Sequence, residues 1–349
     1  MPTLTSIPEP GNIGHLEETT FPHDGFIGPH KIGDNIWIVR RLFSLGAGQR
    51  QGLSYEGLRG RLLTLLGKSP LEHPALNNSS TCANESTCDQ LAEEREKIED
   101  ICAGEFTPFP LDSTMTITRN KAGQLTLHSV VPCDPALLRK VEKLGQVSLL
   151  LVPNLQHWLF LQEWLQHFPQ ADVGLVESAC KEDLLQKMEF LKHHAGSVFY
   201  LRKGDEPQIV KQGLTGVKLE GAPLALNEFL FYHKESKTLL ASDSFYGGYT
   251  DDEVPSWFAR LWFKLNKYGS FRAARLPIYR TTRVLTHGDE TVLLKCVRDM
   301  LAAWDIGQIT FSHGTSPFNA ERVKGSGHSV GDMYMECWRT GLAAAKALV

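Results

Sequence analysis

The sequence has no C-x-x-C pair, no run approaching 18 apolar residues and no large excess of either charge. Each absence excludes something. The seven cysteines are an odd number without metal-ribbon or thioredoxin spacing, so free thiols in a reducing compartment are expected. Cys82, Cys88 and Cys102 share one polar segment, where a local disulfide is the alternative. A membrane span needs a longer apolar run than any present. The opening stretch MPTLTSIPEPGNIGHLEETT has neither the basic nor the apolar region of a signal peptide. A cytoplasmic location is therefore expected, with the acceptor-type tripeptides at Asn77, Asn78 and Asn84 unused. A formal net charge of -4 argues against a general nucleic-acid or membrane-surface binder. That leaves a small molecule as the expected partner; oligomeric state is not legible. There is no Gly-x-Ser-x-Gly elbow, and Ser129 beside His128 cannot pair with it for catalysis, because successive strand residues point to opposite faces. A serine hydrolase is excluded.

What is present is an α/β pattern. With 42% hydrophobic and 22% charged residues in 349, the chain can bury a large core. Residues 1–31 are rich in Pro, Gly and His and read as an irregular arm. Residues 32–349 read as one domain, with an inserted, largely polar segment at about 44–105. Asp34–Val39 suggests a first strand. Met115–Arg119 and Leu125–Val131 suggest a hairpin turning at Asn120–Gly123. Asp134-Pro135 opens a helix that ends near Gly145. The stretch from Val147 to Ser178 reads as strand, polar loop, helix, strand. In such a unit the carboxyl end of the first strand faces the ligand crevice, so Pro153-Asn154 and His157 are candidate site residues. A second hairpin, Leu226–Ser242, delivers Asp243 at the end of its exit strand. If its turn centres on Glu235-Ser236, Glu228 lies opposite Asp243, and His233 lies at the far end. Residues 245–280 mix aromatics with basic residues, as either a lid or an amphipathic helix pair. A helix over Glu290–Trp304 leads to strand Gln308–Phe311, which ends at Ser312-His313-Gly314. The glycine-rich piece Gly325–Gly331 follows no strand and reads as a connector.

Asn154 with His157, Asp243, and His313 share one property: each lies just past the end of an apolar strand. Strand ends in an α/β sandwich converge on one edge. Two imidazoles and a carboxylate suit zinc, iron or manganese. Such an ion makes hydroxide available near neutral pH. Glu228 is a candidate fourth ligand. Asn154 is a candidate substrate-binding residue, and Arg119 is another, chosen to meet an anionic substrate. His157 is equally readable as a helix-start residue, with Asn154 as the cap.

The segments DNIWIV, STMTITR, LTLHSVVP, LGQVSLLLVPNLQHWLFL, FPQADV, NEFLFYHKESKTLLASD and ITFSHGTSP, in this order, resemble the metallo-β-lactamase fold. More closely, they resemble its divergent branch of unknown function catalogued as DUF4336. The resemblance spans residues 34–39 and 113–317 and implies a four-layer αβ/βα sandwich. It also places Asp243 where the family has a bridging aspartate and His313 where it has the last histidine. The departures are specific. The family's His-x-His-x-Asp-His run reads Asn154-Leu155-Gln156-His157-Trp158-Leu159 here. Ser129 follows His128 where a buried Asp is usual. A reduced site is expected, holding one zinc or iron ion at most or none, with Asp243 and His157 carrying any catalysis. Three functions compete: a metal-dependent hydrolase with a mononuclear site, an iron-dependent redox enzyme of the same fold, and a metal-free binding or scaffold protein.

Overall fold

The computed structural model describes residues 13–15, 28–45, 109–177, 182–249, 274, 276 and 278–347. The inserted segment with its cysteine cluster, most of the N-terminal arm, and residues 250–273 of the aromatic-basic stretch lie outside them. A short strand, β1 (Ile13–His15), falls within the arm. The chain divides into two compact units, residues 1–14 with 44–110 and residues 15–43 with 111–349. The candidate site belongs to the second.

Two mixed sheets make up that unit. In the first, β3 (Ile36–Leu45), β4 (Phe109–Arg119), β5 (Gln124–His128), β6 (Gln146–Val152), β7 (Asp172–Val176) and β8 (Val198–Leu201) follow one another in order, and β2 (His30–Gly33) pairs with β3. The β4–β5 hairpin turns where the sequence predicts. The Asn120 side chain accepts from the N–H groups of Ala122 and Gln124, and Gly123 takes the positive φ. From β5 to β8 the strands are parallel. Helices α1 (Pro135–Glu142) and α2 (Leu161–His167) cross between them. Asp134 caps α1 by accepting from Ala136 and Leu137 at 2.8 Å, with Pro135 at the first turn. Short helices α3 (Glu182–Lys187) and α4 (Pro207–Lys211) follow.

The second sheet orders β13-β12-β11-β10-β9, with β9 (Leu214–Lys218), β10 (Phe229–His233), β11 (Thr238–Leu240), β12 (Gln308–Thr310) and β13 (Phe318–Asn319). Its outer face packs under α5 (Ile278–His287), α6 (Glu290–Ala303) and α8 (Val330–Lys346), which follows the one-turn α7 (Ala320–Val323). Leu230, Tyr232, Leu239 and Ile309 from the strands meet Val284, Leu293, Val297 and Trp338 from the helices in one buried cluster. A Ser329–Asp332 capping box starts α8. The inner faces of the two sheets meet: the His128 ring from β5 stands edge-on to Phe231 of β10, 5.5 Å between centroids. Parallel crossovers advancing in one direction lie on one face of a sheet. In the first sheet that is the face away from Phe231, where α1 and α2 bury Leu137, Val141, Trp164 and Leu165. The α/β sandwich expected from the sequence is therefore the one found.

Candidate metal centre

Three strand ends build the site. β6 ends at Val152, and the Asn154 side chain at once folds the backbone over, accepting from Gln156 N–H at 2.8 Å and His157 N–H at 3.2 Å. This turn places His157 above the strand end, ahead of α2, which starts only at Leu161. The same amide donates from Nδ2 to Asp243 Oδ2 at 2.9 Å. Asn154 thus joins the loop of one sheet to the carboxylate of the other.

Asp243 follows β11. The observed register Phe231↔Leu240 extends to Glu228 opposite Asp243, as the hairpin count predicts. Glu228 does not approach as a ligand, which corrects the expectation for it. Its two oxygens accept from the backbone N–H groups of Ser242, Asp243 and Ser244 at 2.7, 2.8 and 2.9 Å, and from the Ser244 hydroxyl at 2.7 Å. All its acceptor capacity goes to fixing the loop that carries Asp243. Burial, then the charge of Asp243, pushes the Glu228 carboxyl up; the hydrogen bonds oppose this. Glu228→Gln replaces one acceptor oxygen by a donor facing backbone N–H. An expected loss of about 1–3 kcal/mol follows from the unmade bond, readable as a lowered denaturant midpoint.

His313 follows β12. Its Nδ1 lies 2.5 Å from the Asp112 carbonyl oxygen, which can only accept, so Nδ1 carries the proton and Nε2 faces Asp243. Asp112 is itself held: Oδ2 accepts from Arg40 Nη2 and from Gly314 N–H, each at 2.9 Å, and Oδ1 from the Tyr249 hydroxyl.

The three side chains converge. His157 Nε2 is 3.3 Å from Asp243 Oδ2, and His313 Nε2 is 3.3 Å from Asp243 Oδ1. One ligand atom from each lies within 4.8 Å of the others, the arrangement expected of residues that share one ion. Tetrahedral ligands at about 2.0–2.1 Å from zinc are roughly 3.3 Å apart; here the two 3.3 Å distances run to different oxygens of Asp243, and the set of three spans up to 4.8 Å. Asp243 Oδ1 is buried, faces His313 Nε2 at 3.3 Å and lies outside ideal hydrogen-bond geometry. Arg280 of α5 adds a cation, its Nη2 3.5 Å from that oxygen. Burial alone would raise the Asp243 carboxyl; the charges of His157 and Arg280 and the bonds to both histidines hold it well below the usual range. For His313, burial opposes the proton, but Asp243 outweighs it and the imidazole is raised.

The structure brings Asn154, His157, Asp243 and His313 together as the strand-end rule predicts. Arg119 is not among them. It lies seven residues along β4 from Asp112, roughly 23 Å at strand rise. There its guanidinium donates to Asn35 Oδ1 and the Leu144 carbonyl and lies over the Trp37 ring. It ties loops at the opposite end of the sheet, which corrects its assignment to substrate.

Sequence reading also misses several neighbours of the centre. In sequence Arg280 is one of several arginines readable either as binding an anionic substrate or as ordinary surface and salt-bridge residues, because a helix 37 positions beyond Asp243 carries no local sign of facing it. Ser129, Ser242 and Ser312 form a buried hydroxyl chain across the sheets, at 3.2 and 2.9 Å. All three stand at strand ends, the same signal that marks His157, Asp243 and His313. Ser129 holds φ at 57°, a left-handed turn that carries it out of the strand. His128 is fully buried, and its Nε2 has no hydrogen-bond partner. Burial, with the charge of His157, lowers its pKa to about 3. The folded state therefore keeps His128 neutral, while the unfolded chain takes up a proton below about pH 6.5. Stability is full above that pH and falls on acidification by about 1.4 kcal/mol per unit, roughly 2–3 kcal/mol by pH 4.5. Denaturation of wild type and His128→Leu at pH 7 and 4.5 checks this. Equal acid losses in the two proteins would remove His128 as the source.

No family model matches the sequence, and no curated protein does. The resemblance to DUF4336 thus rests on the quoted motifs. Solved structures do match. A DIM-1 metallo-β-lactamase exposed to ceftazidime is 11% identical, with a TM-score of 0.40, over 66% of this chain and 86% of that one. A metallo-β-lactamase family protein from Thermus thermophilus is 17% identical, with a TM-score of 0.39, over 68% and 77%. The metal-soaked Flv1 flavodiiron core from Synechocystis sp. PCC6803 is 11% identical, with a TM-score of 0.44, over 68% and 54%. At these values nothing is carried over from those proteins, and chemistry is argued from the site.

Proposed function

We propose that the chain holds one transition-metal ion on His157, Asp243 and His313 and acts as a metal-dependent hydrolase of a small molecule. The observation that carries this is the convergence of three ligand atoms, from two imidazoles and a buried carboxylate, within 4.8 Å of one another. Zinc or iron in that position supplies Lewis acidity and lowers the pKa of a coordinated water toward neutrality. The two-imidazole, one-carboxylate set suits either ion. The chain's own residues do the rest. Asn154 orients Asp243, the Asp112 carbonyl selects the His313 tautomer, and Glu228 fixes the Asp243 backbone. A ligating His313 must give up the proton that Asp243 favours, so metal affinity falls as the pH is lowered.

Elemental analysis of protein purified without chelators tests the reading. Wild type is expected to hold about one equivalent and fewer than two, and His157→Ala and His313→Ala much less. Two full equivalents would overturn the mononuclear site; the identity of the ion separates hydrolytic zinc from redox iron. A second reading is favoured by the contact of Arg280 with Asp243, since a guanidinium can neutralise this carboxylate unaided. In that case the fold is a metal-free binding protein, and the metal content is near zero in all three proteins.

A further inference from the structure

Three strand ends carry the converging residues, and one hydroxyl joins them. Ser242 directly precedes Asp243, and Ser312 directly precedes His313. Their hydroxyls are 2.9 Å apart, and the Ser312 N–H donates to the Ser242 carbonyl at 3.0 Å. From the other sheet, Asn154 Nδ2 lies 3.4 Å from Ser242 Oγ, and the Ser129 hydroxyl 3.2 Å from it. Asn154 Oδ1 is taken up by the N–H groups of Gln156 and His157, which fixes the nitrogen as the atom facing Ser242. Ser129 is held to β6, the strand that leads to Asn154, by its N–H donating to the Leu151 carbonyl at 3.1 Å. The segments that present His157, Asp243 and His313 therefore meet at Ser242 Oγ.

A serine hydroxyl has one proton to donate and two positions that accept. Ser242 uses all three. It accepts from Asn154, and of the other two serines it donates to one and accepts from the other. Ser129, Ser242 and Ser312 are fully buried, each at 0% exposure. Apolar residues of the same shape would be about as stable in their place. A satisfied polar network instead holds its members in one arrangement. Ser129 also keeps a φ of 57°, which non-glycine residues seldom adopt. Such backbone persists where its surroundings over-determine it, and it gathers at functional sites. We infer that Ser242 is a positioning residue: its hydroxyl sets Asp243 against His157 and His313, and so governs how tightly the ion is held. This rests on the metal reading above.

The test uses the full chain as wild type, Ser242→Ala and Ser242→Thr. Zinc affinity is read by competition with a chromophoric chelator, and the ligand geometry by the visible absorption of cobalt-loaded samples. Ser242→Ala deletes the junction and leaves the Ser129, Ser312 and Asn154 groups unmatched. It is expected to bind zinc about 10–100-fold more weakly, as loss of an outer partner does, and to shift the cobalt bands. Ser242→Thr keeps the hydroxyl and should restore both. Wild-type affinity and spectrum in Ser242→Ala, or equal losses in the alanine and threonine variants, overturn the assignment to the hydroxyl and leave the metal reading intact. If Ser242→Ala does not fold, Ser312→Ala, which removes only the link toward His313, decides in the same way. A wild type that binds neither zinc nor cobalt overturns the metal reading itself, and this inference with it.

Discussion

Asp243→Ala is expected to empty the centre and to destabilise the protein by about 3–5 kcal/mol, the range for removing one partner of a buried ion pair. The size follows from what the carboxylate holds. Removing it leaves Arg280 without its counter-charge at 3.5 Å, and His157, His313 and the Asn154 amide each lose their partner. Urea denaturation and metal analysis on one preparation measure both effects. The double variant Asp243→Ala/Arg280→Met is informative because it also deletes the cation beside Asp243. It should recover part of the stability and none of the metal. Purely additive losses would show that the guanidinium and carboxylate are not coupled.

Asp112→Ala is expected to cost a similar 3–5 kcal/mol, by a different route. Both Arg40 and Asp112 side chains are almost wholly buried, 2% and 1% exposed, so Arg40 loses the facing carboxylate in a place closed to water. The change also frees Gly314 N–H and the Tyr249 hydroxyl, and with them the segment that presents His313. Metal affinity should drop about 10–100-fold, the usual effect of losing an outer partner of a ligand. Asp112→Asn keeps the shape but not the charge. It should retain more metal than Asp112→Ala while losing much of the stability. If Asp112→Ala binds metal like wild type, the Asp112 side chain has no part in holding His313, whose Nδ1 partner is the backbone carbonyl that the substitution keeps.

What could be read in advance was local or periodic. The Asn120 turn, the Asp134 cap and the Glu228–Asp243 register depend on neighbours a few residues away or on a two-residue repeat. Sequence carries those directly. Asn154, His157, Asp243 and His313 could be grouped because strand ends share an edge, a rule that needs no contact map. The same rule cannot say what a side chain does on arrival. Glu228 reached the right end and spent its oxygens on backbone N–H groups. Arg119 failed for a related reason: a strand has two ends, and its charge alone does not say which one faces the ligands. Arg280 and Asp112 were illegible because both act across the fold, Asp112 on His313 across 201 positions.

The centre is also a reporter of assembly order. His157 comes from the loop of one sheet, and Asp243 and His313 from strand ends of the other; one of the bonds that join the sheets here, Asn154 to Asp243, spans 89 residues. Neither sheet alone can offer three ligands. Contacts this distant in sequence form slowly and after local ones. Uptake of the proposed ion during refolding would thus be tied to the moment the two halves of the sandwich close on each other, and a stopped-flow metal signal would time that closure.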